Sequence, residues 1–196
     1  VGVSNGNSQT INLGAAGSYA GTTSIGSGNI ANTMTVRNSS GAPNVLPTGT
    51  VLSFGNVAGN GSGRTLSFDL NGQDQTLAGL TQPTNIPNDR NYRVTSASPA
   101  TLTINNTADF SFGGSNVDVG ASTPGTITSA QISGAITLVK SGTGTFTLGG
   151  NLTNGATVSN HPYTGATHIL GGTLRLSSNA VLTATSGCLL YTSPSP

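Results

Sequence analysis

The sequence predicts an all-β chain with essentially no α-helix, and within that class a β-solenoid in preference to an antiparallel sandwich. Four observations predict it. Apolar residues fall on alternate positions in short runs, the mark of half-buried strands. Helix formers are scarce: the 196 residues include no Glu, one Met and one Lys, against 29 Gly. The runs span only about three to six residues, shorter than usual sandwich strands. Aromatic content is 5%, with no Trp to centre a two-sheet core.

The strands are expected in this order. Ile11 and Leu13 flank Asn12, Met34 and Val36 flank Thr35, and Leu52 and Phe54 flank Ser53. Leu66, Phe68 and Leu70 alternate with Ser67 and Asp69. Tyr92 with Val94 follows, then Leu102 with Ile104, Phe110 with Phe112, and Val117 with Val119. Phe146 and Leu148 alternate with threonines, and Leu174 and Leu176 flank Arg175. Outward positions are mostly Thr, Ser and Asn, and the β-branch of Thr suits a pleated surface. Asn5-Gly6, Asn60-Gly61, Asn71-Gly72 and Asn154-Gly155 offer positive φ between strands. Prolines such as Pro43, Pro47, Pro83 and Pro124 fall between strands, where a missing N–H does no harm. Coils of ~20–25 residues make about eight layers, a rod roughly 40 Å long.

Composition excludes several functions. Six basic residues against five acids leave a net charge of +1, so no basic footprint for nucleic acid exists. The single Cys188 excludes a disulfide scaffold and a Cys-built zinc site. No apolar run reaches the ~20 residues of a membrane helix. The apolar share is only 34%, but the low net charge and the ordered alternation oppose disorder.

One stretch carries a denser pattern. Leu138-Val139-Lys140-Ser141-Gly142-Thr143-Gly144-Thr145-Phe146-Thr147-Leu148-Gly149-Gly150 is followed by Tyr163-Thr164-Gly165-Ala166-Thr167-His168-Ile169-Leu170-Gly171-Gly172-Thr173-Leu174-Arg175-Leu176. It resembles the autotransporter-associated β-strand repeat, the passenger-associated transport repeat of large bacterial autotransporters. That pattern runs as a Lys-small-Gly-small-Gly-Thr strand, a Tyr-Thr-Gly bend and an Ile-x-x-Gly-Thr-Leu strand. Here the link at residues 151–162 is longer than usual and reads as an extended loop, and Phe146 replaces a usual Leu. Residues 71–80 and 100–104 resemble the coils that precede the repeat.

The resemblance implies a right-handed parallel β-helix, secreted through an outer membrane and displayed at the bacterial cell surface. The function expected is a structural stalk segment of an autotransporter passenger or surface adhesin, with no enzyme activity, no catalytic, metal or cofactor-binding residues and no cofactor. Its expected partners are neighbouring passenger coils and a translocator barrel outside this segment. The alternative is a β-helical module, adhesin or phage tail-spike-like, that binds glycan or host protein. Residues 1–182 are expected to form the solenoid, with the repeat unit at 138–176. Residues 183–196 lose the alternation and read as a tail, either a disordered terminus or a translated sequencing artefact. No signal peptide opens the sequence, and it is expected to be a segment of a larger protein.

Chemistry-bearing residues are few. Gly2-Val3-Ser4-Asn5-Gly6 matches G-x-S-x-G, but composition alone makes such matches common and no strand–elbow–helix surrounds it. His161 is expected in a loop and His168 on an outward face, both solvated. The acids are Asp69, Asp74, Asp89, Asp109 and Asp118; Asp109 and Asp118 fall in short strand-and-turn contexts and are able to meet by stacking. Residues 89–93 form the densest charged patch and read as an exposed loop or a strand entry. Tyr19, Tyr92 and Tyr163 are the outward candidates for a glycan platform. Thr-x-Thr triplets begin at Thr33, Thr101, Thr126 and Thr143, too unevenly spaced for an ice-binding plane.

Overall fold

The computed structural model describes residues 8–26, 33–55, 64–82, 90–113, 129–149, 159–177, 180–182 and 189–191. In chain order the strands are β1 (Gln9–Leu13), β2 (Thr22–Ile25), β3 (Thr33–Asn38), β4 (Val51–Phe54), β5 (Arg64–Asp69) and β6 (Gln75–Leu77). Then come β7 (Gly79–Thr81), β8 (Arg90–Asn105), β9 (Phe110–Phe112), β10 (Ser129–Ser141) and β11 (Thr145–Leu148). The last are β12 (Ser159–His161), β13 (Thr167–Ile169), β14 (Thr173–Leu176), β15 (Ala180–Leu182) and β16 (Leu189–Tyr191). Among the described residues there is no helix.

All pairings between these strands are parallel. The largest sheet runs β1-β3-β5-β8-β10-β13-β16, so its spatial order follows the chain. The others run β2-β4-β7, β9-β11-β14 and β12-β15. Parallel neighbours need a crossover connection, commonly a helix. Here the crossovers carry the strands of the smaller sheets.

Register turns the alternation into columns of inward side chains. Met34, Leu66, Tyr92 and Ala130 are successive partners, as are Val36, Phe68, Val94 and Ile132. Phe112, Leu148 and Leu176 form another column. Nearly all of these are buried, and Phe68, Tyr92, Val94, Ile132, Phe112 and Leu148 are fully so. Burying one such side chain is worth about 1.5–3 kcal/mol. Columns on different sheets meet at Phe54, whose ring lies 5.5 Å from that of Tyr92 and 5.7 Å from that of Phe112. These tilted contacts join three stretches of chain far apart in sequence.

Several expectations need correction. β8 spans 16 residues and β10 spans 13, well beyond the short strands predicted. Each passes along two regions of its neighbour: β8 pairs with β5 through Arg90–Thr95 and with β6 through Leu102–Ile104. The register of β10 against β8 shifts between Gly134, opposite Ser96, and Ile136, opposite Ala100. Gly134 takes φ +85°, and a Cβ there would stand 2.2 Å from the Ser96 carbonyl oxygen, so only glycine fits. The return length is also longer and less even than expected. Hydrogen bonds between adjacent layers join residues 27 apart at Thr23–Thr50 and 39 apart at Asn106–Thr145.

β2, β12 and the first half of β10 carry too little apolar alternation to be announced by the sequence. The link at 151–162 contains β12, which pairs with β15. Leu189–Tyr191, inside the segment set apart as a tail, pairs in parallel with β13. The expected strand at Val117 and Val119 lies outside the described residues, as do three of the four Asn-Gly turns. The fourth is present, with Asn71 at φ 52° and Gly72 at φ 77°.

Candidate functional site

The polar side chains are spent between layers. Asp74 Oδ1 accepts the Thr101 N–H at 2.6 Å, and Asp109 Oδ1 accepts the Thr145 N–H at 2.7 Å. Asn44 Oδ1 accepts the Thr76 N–H at 2.8 Å. In each case a bend in one layer caps a backbone donor in the next. Asp69 accepts from Arg37 Nε at 2.8 Å across β5 and β3, and turns back to the Asn71 N–H at 2.9 Å. Asp74 and Asp109 sit between strands and Asp69 ends β5, and all three serve as interlayer acceptors. Asp89 and Asp118 lie outside the described residues, so the meeting of Asp109 with Asp118 does too.

The strongest concentration of chemistry is at Lys140, the single lysine of the chain. Its side chain is fully buried. It pairs in register with Ile104 on one side and Ile169 on the other, so it occupies an aliphatic column. The Nζ donates to the carbonyl oxygens of Ser141, Gly142 and Gly171, the latter two at 3.1 Å. An ammonium has three N–H donors and no acceptor, so these three carbonyls satisfy it. Burial pulls its pKa below the ordinary lysine value. Among the described residues the one ion pair is Arg37–Asp69, so carbonyl dipoles alone hold this cation.

Glycines make the corner possible. Gly142 takes φ +74°, and a Cβ there would lie 2.3 Å from the Asn106 carbonyl. Gly172 takes φ +64°, and a Cβ there would lie 2.5 Å from the Gly142 and Gly144 carbonyls and 2.8 Å from Lys140 Nζ. The spacing Lys140-x-Gly142-x-Gly144 and the later Gly171-Gly172-Thr173 therefore form one structural unit. Asn106 floors it, donating from Nδ2 to the Ala108 carbonyl at 2.7 Å and the Thr145 carbonyl at 3.0 Å. The burial of Lys140 was not anticipated. A signal existed: Lys140 shares the parity of Ile136 and Leu138, both inward.

His161 corrects an expectation. It is fully buried in β12, not solvated in a loop. Its Nδ1 accepts the Ile132 N–H at 3.2 Å, which places the proton of the neutral ring on Nε2. Burial lowers its pKa to about 4. His168 is half-buried in β13, between Val139 and Leu190 in register.

Two of the three tyrosines expected on the outside are inside. Tyr92 and Tyr163 are fully buried. The Tyr163 hydroxyl bonds the Thr167 Oγ1 at 2.6 Å, and burial raises its pKa. Tyr19 does face solvent, at 44% exposure. It borders a cleft of 480 Å³ lined by Ile11, Leu13, Ile25, Met34, Val36 and Leu46. Its hydroxyl contacts Thr23 Oγ1, which bonds Thr50 Oγ1 at 2.8 Å.

The remaining motifs add little chemistry. The G-x-S-x-G match and Cys188 lie outside the described residues, as does the triplet at Thr126. Thr33 and Thr35 are half-buried beside Thr65 and Ser67, in ordinary strand positions. Comparison of the chain with known protein families, with curated proteins and with solved structures found no match.

Proposed function

We propose that the chain is a right-handed parallel β-helix and serves as a structural stalk segment of a bacterial autotransporter passenger or surface adhesin. It works without cofactor or catalysis, outside the cell, between neighbouring passenger coils and an outer-membrane translocator barrel. The observation that carries this reading is the order of the largest sheet. Each layer adds its strand in parallel beside the one before, and inward residues stack column by column. Such a stack is stabilised mainly by nearest neighbours and can grow layer by layer on an existing template. Further support comes from where the polar groups go. Asp74, Asp109, Lys140 and His161 all bond backbone groups of the fold.

A second reading, a glycan- or host-protein-binding module, is favoured by one observation: exposed Tyr19 beside the apolar cleft. A display assay separates the two. The chain is placed between a secretory signal and an outer-membrane barrel, and surface exposure is read by protease accessibility on intact cells. The stalk reading expects display that survives Tyr19→Ala, with no Tyr19-dependent binding on a glycan array. Retention in the periplasm overturns the stalk. Array binding lost in Tyr19→Ala establishes the second reading in its place.

A further inference from the structure

We infer that the Lys140 corner is a cation site for which the chain supplies its own cation, and that it accepts a free small primary ammonium ion once the lysine side chain is cut short. Three carbonyl oxygens, from Ser141, Gly142 and Gly171, converge on one nitrogen. They come from two successive layers, so the cation ties the end of β10 to the turn between β13 and β14. Ile104 and Ile169 flank it in register, so the neighbouring side chains of the column offer these carbonyls no other donor. Gly142 and Gly172 keep side chains out of the space. The number of oxygens matches the three N–H groups of a primary ammonium. The methyl group of methylammonium then points along the vacated lysine stem. Tetramethylammonium carries the same charge without an N–H. The site does not depend on whether the chain is displayed at a cell surface.

The test compares thermal unfolding of the wild type, Lys140→Ala and Lys140→Met in methylammonium chloride and in tetramethylammonium chloride at matched ionic strength. Methylammonium is expected to raise the midpoint of Lys140→Ala by about 2–4 °C over tetramethylammonium, and to leave the wild type unchanged. Lys140→Met, which fills the column without charge, is expected to melt below the wild type and to ignore both salts. An equal response of Lys140→Ala to the two salts overturns the site, and so does a Lys140→Met variant as stable as the wild type. Should the alanine variant not fold, the wild type still decides. With one lysine in the chain, its ¹⁵N ammonium resonance is unambiguous. A resolved signal with slow proton exchange at neutral pH is expected, and a rapidly exchanging ammonium refutes the cage.

Discussion

Lys140 lies directly beside Ile104 in the register of β10 and β8, so a charged side chain stands where the column before and after it is aliphatic. A buried unpaired charge is costly. The corner answers that cost with carbonyls freed by a tight glycine turn. The same logic, a polar group placed to meet backbone from the neighbouring layer, recurs along the chain and underlies the predictions below.

His161 makes the fold acid-sensitive. Its folded pKa is about 4, against an ordinary 6.5 in the unfolded chain. Between those values the unfolded state binds the extra proton, so stability is full above pH 6.5 and falls as the pH drops toward 4. The loss amounts to about 3 kcal/mol. Urea midpoints measured from pH 7 to pH 4 are expected to fall over this window in the wild type. They should be much flatter in His161→Gln. An equal slope in both proteins removes His161 as the cause.

Gly134→Ala is expected to cost at least about 3 kcal/mol, because the new Cβ meets a neighbouring backbone carbonyl at a positive φ. Gly41→Ala is the control. Gly41 also has a positive φ, +68°, but open space around it, so about 1 kcal/mol is expected. Chemical denaturation of both variants distinguishes contact from conformation. Similar losses contradict the close approach of β10 to Ser96.

Phe54→Ala is expected to destabilise by about 3–5 kcal/mol, since the ring bridges Tyr92 and Phe112 and is fully buried. Tyr19→Phe, at an exposed site, should change the same midpoint by less than about 0.5 kcal/mol. Reversal of that order places the core elsewhere.

Asp109→Ala removes the acceptor for the Thr145 N–H and is expected to cost about 1 kcal/mol, with faster amide exchange at Thr145. Asp109→Asn keeps an oxygen acceptor and is expected to retain most of the protection. Unchanged exchange in the alanine variant means the Asp109 cap carries no weight.

The period-two alternation was legible because it is a local property: Met34, Val36, Leu52, Phe54, Leu66 and Phe68 all turn inward as their parity demands. The same alternation could not reveal β2 or β12. Thr22–Ile25 and Ser159–His161 hold few apolar residues, and their strands exist because a neighbouring layer offers hydrogen bonds. Tyr92 and Tyr163 were misplaced for a related reason. A tyrosine carries both an apolar body and a polar tip, and the choice between them rests on what lies opposite.

Composition and alternation thus determined that the described residues are strand without helix, where half of the sixteen strands fall, and which aliphatic residues turn inward. These follow from steric preference and from the two-residue repeat of a strand, both of which act within a few neighbouring residues. Parallel pairing was expected and is found, whereas the long strands β8 and β10, the burial of His161 and the carbonyl cage around Lys140 were decided only by the tertiary structure. Each depends on groups some thirty residues apart in sequence, brought together when one layer settles on the next.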